Sequence, residues 1–75
     1  MTREYLEKRY SKVHQDVINS ITYSLWEHNT LGDETEYIIL DHENETYCYT
    51  IDNFYDTIEE YDIYNWYSFE SFVFA

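Results

Sequence analysis

Residues 3–28, REYLEKRYSKVHQDVINSITYSLWEH, decide how the chain is read. Within them Leu6, Tyr10, Val13, Val17, Ile21 and Leu25 recur at spacings of four, three, four, four and four, the repeat of one helical face. Ile18 and Trp26 widen that stripe. Thr2 suits an N-cap, Glu4 suits a first turn, and neither Pro nor Gly interrupts before Gly32. The spacing predicts one long amphipathic helix over 3–28, stopped by His28-Asn29-Thr30-Leu31-Gly32.

Beyond that stop the period changes. Residues 35–40 and 46–51 read as two strands of a hairpin joined by the polar connector Asp41-His42-Glu43-Asn44-Glu45. The second run alternates, with Tyr47, Tyr49 and Ile51 on one face and Thr46, Cys48 and Thr50 on the other. Asp52 or Asn53 can cap a short helix through Phe54, Ile58 and Tyr61, with Asp56 favourably close to its N-terminus. The aromatic runs 63–67 and 71–74 are β-prone and supply one more strand or a bent pair. The expected fold is a single α+β domain over 1–75. A long N-terminal helix packs on a small antiparallel sheet, in the order helix, strand, strand, short helix, strand.

Charge divides the chain more sharply than pattern does. Its 75 residues carry 16 Asp and Glu against 4 Lys and Arg, a net charge of −12. Arg3, Lys8, Arg9 and Lys12 balance the four acids of residues 1–31, so the whole excess lies in the acidic, β-rich part, 32–75. There Asp33, Glu34, Glu36, Asp41, Glu43, Glu45, Asp52, Asp56, Glu59, Glu60, Asp62 and Glu70 face no basic residue at all. A single-sign field costs stability through self-repulsion and attracts a partner of opposite sign. Disorder is excluded by the 44% hydrophobic and 21% aromatic content.

Several chemistries fall away on composition. The only glycine is Gly32, so no phosphate-cradling loop exists, and no GxSxG, HExxH or CxxC motif occurs. His14, His28, His42 and Cys48 follow no zinc-ligand spacing. Asp41, Glu43 and Glu45 alternate like the first ligands of a calcium loop, but Thr46 stands where that loop needs glycine and Asp52 where it needs glutamate. We expect neither an enzyme nor a cofactor or metal. Asn44-Glu45-Thr46 is formally a glycosylation sequon, but no secretory signal is visible and a lone Cys48 fits a reducing compartment, so a cytoplasmic location is expected. No run is long and apolar enough to span a membrane.

What survives is the acid pattern. Duplex DNA presents one charge per ~1.7 Å of axis. Twelve carboxylates across a domain ~29 Å wide give one per roughly 2.4 Å, within a factor of two. Direct nucleic-acid binding is opposed by sign. Ten tyrosines exceed what so short a chain can hide, which leaves rings for an interface or for a homodimer through the helix stripe or the aromatic C-terminal segment. Tyr37, Tyr47, Tyr55, Tyr61, Tyr64 and Trp66 are the aromatic candidates for partner contact.

In size, acidity, tyrosine content and the Asp/Glu distribution just given, the chain resembles the DNA-mimic inhibitors made by bacteriophages. They block restriction enzymes, uracil-DNA glycosylase, CRISPR effector nucleases, nucleoid proteins and the replicative sliding clamp. The resemblance is compositional, and these proteins share no common fold. It implies a host-takeover protein, closest in character to the sliding-clamp blockers, that occupies a basic surface meant for DNA in the host cytoplasm. The alternative is an interaction module that mimics nothing, such as an antitoxin-like partner or an adaptor docking through its aromatic surface.

Overall fold

The computed structural model of the protein describes residues 2–29 and 36–69. The expected long helix is replaced by three elements. These are a seven-residue helix α1 (Arg3–Arg9) and two paired antiparallel strands, β1 (Tyr10–Ile18) and β2 (Ile21–His28). Thr2 caps α1 as its sequence suggests, accepting a hydrogen bond from the Tyr5 amide at 3.2 Å. The helix stops at Arg9, and Tyr10 already has the extended backbone of the strand that follows.

The reason for the difference lies in the spacing itself. A step of four residues keeps a side chain on one face of a helix, but four is also even, so it keeps a side chain on one face of a strand. Val13, Val17, Ile21 and Leu25 therefore carried no information about which period applied. The deciding residues are Asn19 and Ser20. Both have positive φ, 52° and 68°, the signature of a two-residue type I′ turn whose twist matches the flanking strands. Across it Ile18 faces Ile21, Val17 faces Thr22 and Asp16 faces Tyr23. The register slips between Lys12 and His14, which leaves Val13 as a bulge, about half exposed. Val17, another residue of the expected stripe, is 60% exposed. A dimer seam through a helical stripe has no element here to form it.

The second hairpin stands where the alternation puts it. β3 (Tyr37–Asp41) pairs with both β2 and β4 (Thr46–Thr50), and a two-residue β5 (Tyr67–Ser68) completes a five-stranded antiparallel sheet in sequence order. Asn53 caps α2 (Phe54–Glu60), its side chain accepting from the amides of Tyr55 and Asp56. Residues Ile63–Asn65 form a 3-10 turn rather than a strand. The expected run 71–74 lies outside the described residues.

Both faces of the sheet are covered. Ile38, Ile39 and Leu40 are all fully buried, so alternate residues of β3 point into two separate cores. One joins Ile38 and Leu40 to Leu6, Tyr10, Trp26 and Phe69, with Tyr47 packed beside them. The other joins Ile39, Tyr23, Cys48 and Phe54, flanked by Ile18, Ile21, Leu25, Ile58, Tyr61 and Trp66. The first core is lidded by α1 through Leu6, whose burial contributes roughly 2 kcal/mol. α2 lids the second. A single long helix could have covered only one face.

Candidate acidic docking surface

The turn between β3 and β4 is built by its own acid. Asp41 Oδ1 accepts from the amides of Glu43 and Asn44 at 2.9 and 3.0 Å, and Oδ2 from Asn44 Nδ2 at 2.8 Å. With 6% exposure Asp41 serves the framework of the turn. Its bonds hold Glu43 and Glu45 in solvent at the loop tip, Glu45 with a positive φ of 55°.

The segment after β4 supplies the rest. Asp52, Asp56, Glu59 and Glu60 are exposed along α2 and its approach. Asp62, also exposed, caps the 3-10 turn by accepting from the Tyr64 amide at 2.9 Å. This segment runs back to the β3–β4 turn. Asp41, Asn44 and Thr46 share one groove with Ile58, Tyr61, Asp62, Ile63, Trp66 and Tyr23. The Phe69 amide also donates to the Glu45 carbonyl at 3.0 Å. Of the second segment it is Asp62 that meets the foot of the β3–β4 turn; Asp52, two residues past Thr50, which pairs with Tyr37, lies towards the other end of the sheet. Glu36 stands apart, at the opposite end of β3, where it accepts from the Tyr10 hydroxyl at 3.0 Å. Asp33 and Glu34 lie outside the described residues, as does Glu70.

Positive charge is confined to residues 3–12 of the sequence, with Lys12 near enough to His42 of the β3–β4 turn to act on its imidazole. After Lys12 the chain contains no Lys or Arg. Arg3 pairs with Glu7 at 2.8 Å, Lys8 with Glu4 at 3.0 Å, and the Arg9 guanidinium sits 4.6 Å from the Tyr5 ring centre. The exposed acids of residues 36–69 have no cation of their own segment to neutralise them.

The aromatic candidates separate. Tyr61 and Trp66 are half-buried and line the groove, and Tyr64 beside them is 87% exposed. Tyr55 sits on the β1 side, its hydroxyl donating to Asp16 Oδ2 at 2.8 Å and lying 3.1 Å from His14 Nε2. That bond, followed by one from the Val17 amide, holds the exposed Asp16 carboxyl below its ordinary range, and the same pair raises the Tyr55 phenol. Tyr47 belongs to the α1 side, stacked among Tyr49, Tyr67 and Phe69, and does not join the acidic groove. Tyr37 is half-buried on β3.

The remaining reactive groups are structural. Burial pushes the Cys48 thiol up to about 12, so it stays protonated inside the α2-side core. The Ser24 hydroxyl, fully buried, lies 2.7 Å from Nε2 of the half-buried His42 and accepts from Trp26 Nε1 at 2.9 Å. Among the described residues no three His, Cys, Asp or Glu side chains gather into a metal-holding set. No described helix is long and apolar enough to cross a membrane.

Tyr23, Asn44, Thr46, Ile58 and Ile63 complete the groove and are not among the partner-contact candidates that the sequence offers. Assigning residues 10–28 to a helix hid the facing of Tyr23, and the Asn19-Ser20 turn was the signal that could have shown it. No protein-family model matches the chain, and no curated protein or solved structure matches it either.

Proposed function

We propose that the protein is a DNA-mimic inhibitor, which occupies the basic DNA-binding surface of a nucleic-acid-processing protein and excludes DNA from it. The observation that carries this reading is the segregation of charge. Glu43, Glu45, Asp52, Asp56, Glu59, Glu60 and Asp62 are exposed on the β3–β4 turn and the α2 segment, while every Lys and Arg lies in residues 3–12. The molecule measures 32 × 27 × 22 Å, and those seven charges correspond to about 12 Å of duplex axis. Its field steers a cationic surface towards it from a distance, and short-range packing then selects among basic proteins. Tyr64, Ile63 and Tyr61 stand ready for that packing beside Asp62.

Of the targets the compositional resemblance offers, the replicative sliding clamp comes first, followed by CRISPR effector nucleases and nucleoid proteins. The immobilised protein should capture its target from bacterial lysate and release it both to a salt gradient and to duplex DNA, because both compete for the same cationic groups. Capture that survives 0.5 M salt and ignores DNA would instead make the protein an aromatic docking module. In that case the mimic reading is wrong.

A further inference from the structure

The groove between the β3–β4 turn and the segment following α2 has a composition of its own. It encloses about 350 Å³, within the range of small-ligand sites. One wall is aromatic: Trp66 packs against the buried Tyr23, their rings 6.0 Å apart at 45°, with Tyr61 beside them. Ile58 and Ile63 add apolar surface, and Asp62 and Asp41 place carboxylates on the lining.

We propose that this groove receives one cationic side chain of a partner protein, a guanidinium in particular. Aromatic faces attract cations through the ring quadrupole, and a planar guanidinium stacks on them as a compact ammonium does not. The aliphatic stem of an arginine would lie along Ile58 and Ile63 while its head reaches Asp62. An anion is opposed by the carboxylates. A calcium ion needs six to eight oxygens, whereas Asp41 already spends its two on three hydrogen bonds in the turn. An uncharged apolar guest would gain nothing from the charge of Asp62. The idea rests on the proposed function only for who presents the guanidinium; the groove's preference for one follows from its own walls.

The test therefore uses no partner. The full ¹⁵N-labelled chain is titrated with N-acetyl-L-argininamide at constant ionic strength, with N-acetyl-L-norleucinamide and sodium chloride as controls. Saturable shifts are expected in the Trp66 indole N–H and in the amides of Asn44 and residues 62–66, with a Kd of roughly 1–20 mM. The Trp26 indole, on the opposite face of the sheet, should not move. Asp62→Asn keeps a capping side chain and should weaken binding about threefold or more with the spectrum otherwise intact. Shifts that norleucinamide reproduces, that never saturate, or that persist unchanged in Asp62→Asn overturn the proposal. Saturable argininamide binding by a protein that captures no DNA-competed target would sink the mimic reading alone. The reverse result would sink this one alone.

Discussion

The Thr57 hydroxyl lies 2.9 Å from that of Thr50, and the pair pins α2 to β4 inside the sheet's second core. The direction of the bond follows from its surroundings. Thr57 Oγ1 donates to the Asn53 carbonyl at 2.8 Å, so the proton between the two threonines comes from Thr50. Thr50 Oγ1 in turn accepts from the Asp52 amide at 2.9 Å. Both side chains are nearly inaccessible to water, at 4% and 1% exposure, which makes an unmet hydroxyl costly there. Thr57→Val keeps the shape and leaves the Thr50 hydroxyl only the longer contact to the Tyr61 hydroxyl, at 3.4 Å. It should cost about 1–2 kcal/mol, seen as a lower denaturation midpoint with an unchanged m-value.

Ser20→Gly separates the hairpin from the helix in one measurement. Ser20 holds φ at 68°, where a Cβ is strained, and glycine after Asn19 would create the sequence that type I′ turns favour most. Stability should rise by roughly 0.5–1 kcal/mol, or several degrees in Tm. In the middle of a long helix the same change would lose about 0.5 kcal/mol.

His42 should make stability depend on pH in the mildly acidic range. Burial first, and then the charge of Lys12, hold its imidazole below the ordinary value, against an opposing pull from Asp41. Its Nε2 lies 2.7 Å from Ser24 Oγ, which also accepts from Trp26 Nε1. The native state therefore favours the neutral ring. Its contribution is complete above the unfolded value of about 6.5 and is lost as pH falls from there through the lower folded value. The Tm difference between the wild type and His42→Gln should shrink from pH 7.5 to pH 5; a constant difference would remove His42 from the effect.

The two acidic segments can be tested by reversal. Glu43→Lys with Glu45→Lys, and separately Glu59→Lys with Glu60→Lys, should each weaken target capture by about tenfold or more at low ionic strength, with the loss shrinking as salt screens the field. Circular dichroism should remain that of the wild type, since all four side chains are exposed. Normal capture by both double variants would place the docking surface elsewhere.

Cys48 offers a probe of the second core. Its thiol, buried and held protonated, should resist alkylation in the native protein and react once α2 lifts or the chain unfolds. Reaction of the folded protein at the rate of a free thiol would mean that α2 does not cover this face.

What was legible from sequence was local. Thr2 and Asn53 announce helix starts because a cap is a contact between near neighbours. The alternation of 46–51 and its polar connector announce the β3–β4 hairpin for the same reason. Charge segregation is visible without any fold, because no Lys or Arg follows Lys12.

Residues 10–28 are different. Steps of four fit both periods, so the choice between helix and hairpin depended on what the stretch had to cover. Ile38, Ile39 and Leu40 face alternately into two cores, and a sheet buried on both sides needs its neighbour β2 to present Trp26 to one and Tyr23 to the other. That demand arises between segments, and no window of sequence contains it. The groove follows the same logic. Its acids and its Trp66 could be named from the chain alone. Their meeting with Tyr23 was decided only when β2, the β3–β4 turn and the end of α2 came together around one apolar core.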